Sequence, residues 1–304
     1  MIFDFQASAF ALGENQIPVS TICEDSGRDY SRTLAKAGFE WVYRTGKSEV
    51  DFFSSFLLSH LFLNPGETVI FVNQSGASSI PGLAPRVFAN VPRAEHANLI
   101  EISDGCTGFL RAFLVADSLL SSGSSKAVTI ICGEIYSKFI DNYSTSAPIF
   151  SDAISQIRLT AGRGFSLRNY GVLNSFQDHE FISVAGGQDG STFRMDGAKV
   201  LGWTSRSARK MATLLLAAEE YDLKGIASWF FHQGSKVVVE NVAAALGARE
   251  GTYFSAGQIG NTSSSSIPIG LIQSQSTLNA NESIGLLAFG VGLSMIGLVL
   301  EADQ

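Results

Sequence analysis

The chain has 304 residues, of which 45% are hydrophobic and 16% are charged, and its formal net charge is −7. This length and apolar content suit one large core or two intimately packed halves, and they exclude a disordered chain. The acidic charge argues against a nucleic-acid binder, because no surplus of Lys and Arg is available to neutralise phosphates. Three cysteines are an odd number without metal-ligand spacing, so we expect no disulfide framework, no metal site and a cytoplasmic location.

Apolar strands and helices alternate along the first half of the chain. Strands are predicted at 1–5, 68–72, 98–102 and 127–132, and helices at 29–37, 85–90 and 109–120. The last two strands and the helix between them form a βαβ unit, for which parallel strands buried on both faces are expected. The sequence therefore indicates an α/β protein.

The second half repeats this rhythm without strong identity to the first. Helices are predicted within 197–221, at 235–246 and from the serine-rich segment 262–272, with a strand at 225–231. The apolar run 284–300 is shorter than the roughly 20 residues of a membrane-spanning helix and contains four glycines, so a buried hairpin is predicted. The recurrence predicts an internal duplication with halves at 1–165 and 166–304, and no membrane partner.

Cys106 lies between two glycines where the strand at 98–102 turns into the helix at 109–120. The N-terminal end of a helix favours a thiolate over a thiol, which makes Cys106 a candidate nucleophile. The alternative is a small buried residue in a Gly-rich turn. Cys106 is interpreted as a nucleophile only if the sequence also supplies catalytic partner residues.

Two polar residues of the second half are candidate partners. His232 follows an apolar strand and precedes a helix, where side chains point into the crevice at the carboxyl ends of strands. Asn261 follows a glycine in a predicted turn. Taken singly, His232 also suits a loop or capping histidine, and Asn261 also suits a turn residue.

The motifs GCTGF, HQGS, GNTSSSSIP and AFGVG occur in this order and resemble those of the β-ketoacyl-acyl-carrier-protein synthase III group of the thiolase superfamily. The turn at 13–18, the segment WVYRTG at 41–46 and IFSD at 149–152 extend the resemblance over nearly the whole chain. The resemblance implies a thiolase fold, in which two duplicated βα halves form five αβαβα layers.

The resemblance also implies a mechanism. Cys106 is the acylated nucleophile of a Cys-His-Asn triad with His232 and Asn261, and the backbone N–H groups of Cys106 and Val291 form the oxyanion hole. The implied reaction is a decarboxylative Claisen condensation of an acyl group with a malonyl thioester. His232 and Asn261 donate hydrogen bonds to the enolate that forms when CO₂ leaves.

The remaining implied site residues contact the substrates. The resemblance implies that five residues bind substrate, namely Trp41, Arg44, Ile80, Ser235 and Phe289. Docking of an acidic acyl carrier protein would need a local basic face, and Arg206, Arg209 and Lys210 offer one on a single helical stretch. A solvated helix face is the alternative for the three basic residues. Acyl-carrier-protein or coenzyme A thioesters are the implied substrates, phosphopantetheine or coenzyme A is their carrier, and no bound cofactor is implied. A homodimer is implied as well, with Ile80 reaching into the partner's acyl pocket.

Three residues depart from the family pattern. Ser144 replaces an arginine that would contact the adenine of coenzyme A, which favours carrier-protein-bound donors. Ser235 replaces an asparagine, which weakens a contact to the pantetheine arm. Asp104 lies close to Cys106, where its charge raises the thiol pKa. These departures leave room for an acyltransferase of the same fold that uses an amine or alcohol acceptor. A catalytically silent partner subunit is the third interpretation, and retention of all three triad residues argues against it.

Overall fold

The computed structural model describes residues 1–27, 30–76, 80–141, 144–185, 192–216, 223–248, 253–278 and 282–303. The strands are β1 (Ile2–Leu12), β2 (Asn15–Pro18), β3 (Trp41–Arg44), β4 (Thr68–Val72), β5 (Asn98–Ile102), β6 (Ala127–Glu134), β7 (Ala153–Thr160), β8 (Phe165–Asn174), β9 (Ile182–Ala185), β10 (Thr192–Met195), β11 (Ser228–Phe231), β12 (Ile284–Gly290) and β13 (Ser294–Ala302). The α-helices are α1 (Val19–Ser26), α2 (Ser31–Ala37), α3 (Glu49–His60), α4 (Leu83–Phe88), α5 (Gly108–Ser121), α6 (Gly197–Leu216), α7 (Lys236–Leu246) and α8 (Ser266–Gln273).

A five-stranded sheet has the order β1-β7-β6-β4-β5. The predicted βαβ unit is confirmed in its parallel direction, but β4 lies between β5 and β6 and pairs in parallel with both. Strand β6 is buried along its whole length, whereas β5 is only half-buried because it is the edge strand. The expectation of burial on both faces is therefore wrong for β5.

A four-stranded sheet has the order β11-β12-β13-β8. Strands β12 and β13 form the predicted hairpin, and β12 is buried along its whole length. The glycines of this hairpin admit large neighbours, because Cβ atoms at Gly290 and Gly297 would collide with Cys106 and Met211. No helix within the described ranges is both long enough and apolar enough to cross a membrane.

Helices separate and cover the two sheets. Helices α5 and α8 lie between them, where α5 contacts β4, β6, β12 and β13, and α8 contacts β1, β7 and β11. Helix α3 contacts β1 and packs with α4 on the outer face of the first sheet, whereas α6 contacts β8 and β13 and packs with α7 on the outer face of the second. The layers therefore follow the order αβαβα, and this arrangement confirms the expected fold class.

The sequence patterns missed several elements, including α1, α3 and the strands β7 to β10. In β7 the apolar pattern is interrupted by Gln156 and Arg158, whose side-chain N–H groups bind distant partners. Gln156 donates to the carbonyl oxygens of Ala7 and His60, and Arg158 forms an ion pair with Glu67. Local hydrophobicity does not reveal a strand whose polar side chains find distant partners.

Several predicted boundaries shift. Strand β1 continues to Leu12 because it pairs with β7 on both sides of an irregularity between Asp4 and Ala9, and the strand predicted at 225–231 begins only at Ser228. The predicted helix start at residue 29 and the helix end at 217–221 lie outside the described residues. The division into halves at 1–165 and 166–304 stays a prediction.

Candidate active site

Four separate segments bring the predicted catalytic groups to one cavity of about 550 Å³. Cys106 lies in the turn between β5 and α5, and His232 directly follows β11. Asn261 forms an isolated parallel bridge with Phe150, just before β7. Val291 lies in the turn between β12 and β13. All four predicted residues line the cavity, so the structure brings together what the sequence separates by 185 positions.

Ser263 contacts each member of the predicted triad. Its hydroxyl oxygen lies 3.6 Å from the Cys106 sulfur, and its backbone N–H donates to Asn261 Oδ1 at 2.9 Å. A backbone hydrogen bond joins Ser263 to the His232 imidazole. Cys106, His232 and Asn261 are therefore arranged around a single buried residue.

The Cys106 thiol is protonated in the resting protein. Burial raises its pKa to about 11, against the opposing effects of the Ser263 hydroxyl and the Val291 backbone N–H. The charges of Glu134 and Asp104 raise the pKa further, so the predicted effect of Asp104 has the expected direction. Asp104 is paired with Arg111, whose Nε lies 2.6 Å from Oδ2.

The expectation that the helix terminus favours a thiolate is therefore wrong for the resting protein. Helix α5 begins at Gly108, two residues beyond Cys106, and burial has the largest effect on the thiol pKa. The nucleophile must lose its proton as it reacts, so a nearby base is required.

The His232 imidazole can be that base. Burial lowers its pKa to about 4, so the ring is neutral at physiological pH. Its Nδ1 atom is buried and has no hydrogen-bond partner among the residues that the structure describes. The His232 and Phe289 rings pack edge to face, with their centroids 5.2 Å apart. A neutral imidazole has one nitrogen that accepts a proton and one that donates a hydrogen bond.

The Asn261 carboxamide is held in one orientation. Its Oδ1 accepts the Ser263 N–H, and its backbone N–H donates to the Ile149 carbonyl oxygen at 2.8 Å. With the oxygen occupied, the NH₂ group is the half of the amide that is free to bind a substrate oxygen. Asn261 is thereby a hydrogen-bond donor toward the cavity.

Two of the five predicted substrate-binding residues line this cavity. These are Ser235, whose hydroxyl also caps α7 by accepting the Val238 N–H, and Phe289. Trp41 and Arg44 are not part of its lining. Arg44 lines a second cavity of about 510 Å³ and donates to the Ala147 carbonyl oxygen, and Ile80 is fully exposed.

The predicted docking residues lie beside the cavity on the same helix. The first turns of α6 line the cavity through Ala198, Leu201 and Gly202. Further along this helix the three basic side chains are exposed, namely Arg206, Arg209 and Lys210.

The sequence analysis did not identify some of the residues that form the site. Ser263 lies in a run of four serines and carries no distinguishing signal. Tyr136, at the end of β6, lines the cavity and contacts the rings of Phe150 and Phe193. Glu134 is fully buried behind Cys106, and burial raises its pKa to about 8. The sequence offered one indication of this residue, namely a charged side chain at the end of an apolar strand.

Known families match most of the chain. The family model for 3-oxoacyl-[acyl-carrier-protein (ACP)] synthase III matches residues 100–172, and the model for its C-terminal part matches residues 216–302. Together the two matches cover more than half of the chain. A β-ketoacyl-[acyl-carrier-protein] synthase III from Lactococcus lactis is 28% identical over 293 residues, which cover 84% of this chain and 88% of that protein.

Solved structures show the same fold. The 3-oxoacyl-[acyl-carrier-protein] synthase III from Aquifex aeolicus superimposes with a TM-score of 0.85 at 19% identity, covering 97% of this chain and 98% of that one. The priming β-ketosynthase of the R1128 polyketide pathway has a TM-score of 0.83 at 18% identity, with coverage of 97% and 95%. At these identities the superpositions establish the fold alone.

Proposed function

The chain belongs to the 3-oxoacyl-[acyl-carrier-protein] synthase III family of condensing enzymes, and we propose that it joins an acyl group to a malonyl group carried by acyl carrier protein. The observation that carries this proposal is the convergence of Cys106, His232 and Asn261 on one cavity around Ser263. The products are a β-ketoacyl thioester and CO₂.

In the first half-reaction Cys106 attacks the carbonyl carbon of an acyl thioester. The thiol proton passes to the neutral His232 imidazole and from there to the departing thiol of the carrier. The backbone N–H groups of Cys106 and Val291 stabilise the oxyanion. The Val291 N–H already faces the sulfur in the resting protein and lowers the Cys106 pKa, which supports this assignment.

In the second half-reaction the malonyl thioester loses CO₂. The electrons of the broken C–C bond move onto the thioester carbonyl, and the enolate oxygen accepts hydrogen bonds from the Asn261 NH₂ group and the His232 ring. The enolate carbon then attacks the acyl group on Cys106 and releases the thiolate. One pair of donors thus serves the decarboxylation, while Cys106 carries the acyl group.

The test follows both half-reactions separately. Intact mass measures acylation of Cys106 by a panel of acyl thioesters, and ¹⁴CO₂ release from carboxyl-labelled malonyl-acyl carrier protein measures decarboxylation. We expect Cys106→Ala to lose acylation and Asn261→Ala to keep acylation while its CO₂ release falls by about 100-fold or more. Acyl transfer to an amine or alcohol without CO₂ release would reject condensation, and failure of Cys106 to load would favour a silent subunit.

The proposed partners rest on surface features. The acidic chain needs a local basic face to bind an acidic carrier protein, and Arg206, Arg209 and Lys210 provide one beside the cavity mouth. A second copy of the chain is the other proposed partner. Strand β5 ends the first sheet, its outer edge pairs with no strand in the described part of the chain, and the nearby Ile80 is fully exposed. Three free thiols fit a cytoplasmic location.

The proposed substrates include coenzyme A thioesters as well as carrier-protein thioesters. The phosphopantetheine arm that both share would enter between the first turns of α6 and the start of α7, where Ser235 lines the cavity. The Ser235 oxygen accepts the Val238 N–H as the α7 cap, so its O–H group is the part that can donate a hydrogen bond to this arm. Comparing KM for the two donors carrying the same acyl group decides which one the protein uses.

A further inference from the structure

Ser263 has an uncommon backbone conformation at a position where several polar groups meet. Its φ angle is 52°, in the left-handed region that residues other than glycine rarely adopt. The side chain is 1% exposed. Non-glycine residues in this region are concentrated at sites where surrounding contacts hold a functional group in place. The Asn261 side chain supplies one such contact through the Ser263 N–H.

A chain of polar groups leads away from Cys106 through Ser263. The Ser263 hydroxyl lies 3.6 Å from the Cys106 sulfur, and the Ser263 side chain also interacts with the Tyr136 phenol. Tyr136 in turn donates its hydroxyl proton to Gln74 Oε1 at 3.2 Å. Both Tyr136 and Gln74 pack against the backbone at Gly105, directly before the nucleophile.

The direction of these hydrogen bonds follows from the acceptor at the far end. A carbonyl oxygen cannot donate, so the Tyr136 proton points to Gln74 and the phenol oxygen faces Ser263 as an acceptor. The Ser263 proton therefore has two acceptors, the Tyr136 oxygen and the Cys106 sulfur. With Cys106 as a thiol, Ser263 donates to Tyr136 and accepts from S–H. With Cys106 as a thiolate, the Ser263 hydroxyl turns and donates to the sulfur.

We propose that Ser263 is a positioning residue for the nucleophile, whose hydroxyl is held by Tyr136 and Gln74 while Cys106 is a thiol and turns to stabilise the Cys106 thiolate. The inference rests on the proposed role of Cys106. No covalent bond changes at Ser263, because its hydroxyl only exchanges one hydrogen-bond acceptor for another. Hydrogen bonds to an ionised group are about twice as strong as neutral ones, so the contact favours the reactive state of the sulfur.

The experiment measures alkylation of Cys106 by iodoacetamide between pH 6 and 10, with the modified residue located by peptide mass mapping. Below the Cys106 pKa the rate follows the thiolate fraction. We expect Ser263→Ala to slow alkylation about tenfold at each pH, equivalent to a pKa rise of about one unit. Tyr136→Phe keeps the ring and removes the acceptor that competes with the sulfur for the Ser263 proton, so alkylation is expected to become about twofold to threefold faster.

Ser266→Ala is the matched control, because it removes a buried hydroxyl of the same segment that contacts Thr262 and not the nucleophile. Its alkylation profile should equal that of the unmodified chain. Ser263→Gly separates the hydroxyl from the backbone, since glycine adopts a positive φ freely. If the hydroxyl acts as proposed, the alanine and glycine variants are slowed equally.

A folded Ser263→Ala protein with an unchanged alkylation profile would overturn the inference. If that variant does not fold, Tyr136→Phe decides, and an unchanged profile there overturns it equally. The readout is independent of condensation. A wild-type protein that releases no CO₂ but shows the expected alkylation shifts would refute the proposed function and leave the role of Ser263 standing.

Discussion

Gly290, at the end of β12, leaves room for the Cys106 side chain because it has no side chain of its own. A Cβ atom built at this position would lie 2.6 Å from the Cys106 sulfur and 2.5 Å from Cys106 Cβ. Favourable contacts between heavy atoms lie near 3.5 to 4.0 Å, so Gly290→Ala must displace the sulfur or the strand by about 1 Å. Both are buried, and Gly290 itself pairs with Ser294 of β13, so neither moves freely.

We expect Gly290→Ala to lower the free energy of unfolding by about 1–3 kcal/mol through overpacking. A displacement of about 1 Å at the reacting atom should slow acylation of Cys106 about 100-fold. The assay combines intact-mass measurement of acyl loading with chemical denaturation of each variant.

Gly297→Ala is the matched control in the neighbouring strand β13. Its Cβ would meet the flexible Met211 side chain, whose sulfur lies 3.0 Å away. It should lower stability without slowing acylation. Wild-type acylation by Gly290→Ala would refute the reasoning that backbone proximity sets the position of the sulfur.

Three further predictions concern ionisation and docking. In the folded protein the pKa of His232 is lowered to about 4. The contribution of His232 to the free energy of unfolding should therefore be full above pH 6.5 and fall by ~3 kcal/mol in total as the pH decreases toward 4. In urea unfolding, His232→Ala should not show this decrease. Burial raises the Glu134 pKa to about 8, so the contribution of Glu134 to the free energy of unfolding is full below pH 4.5 and is lost as the pH rises through 8. Glu134→Gln should remove this decline in stability. If the decline persists in the variant, another group causes it. Replacing Arg206, Arg209 and Lys210 together by Glu should raise KM for malonyl-acyl carrier protein about tenfold at low salt and leave KM for coenzyme A thioesters unchanged; equal changes in both KM values would contradict a docking role.

Local sequence patterns determined the elements whose signal is contained within a few residues. The continuous apolar runs of β4 and β6 and the glycine-containing hairpin β12–β13 were predicted from composition and periodicity, and the structure confirms them. Helix α7 was predicted to end at residue 246 and does so, and the following Gly247 adopts a left-handed conformation with φ of 63°. Such features depend on backbone conformation and on burial of the segment itself.

The sequence also supplied Cys106, His232 and Asn261 as chemically suitable groups, through residue type and an ordered set of motifs. It gave no means of finding Ser263, because one serine among four has the same local chemistry as its neighbours. Only the turn between Asn261 and α8 directs this hydroxyl to the sulfur while Ser265 donates to the Cys132 carbonyl oxygen.

Tertiary structure alone decided the ionisation state of the site. The sequence indicates a thiolate near a helix terminus, whereas the folded chain buries the sulfur and raises its pKa to about 11. Burial is a sum over contacts from β5, β12 and the segment after Asn261, which are far apart in the chain. The free energy of an ion depends on all the groups that replace its water, and those groups are assembled only by the fold.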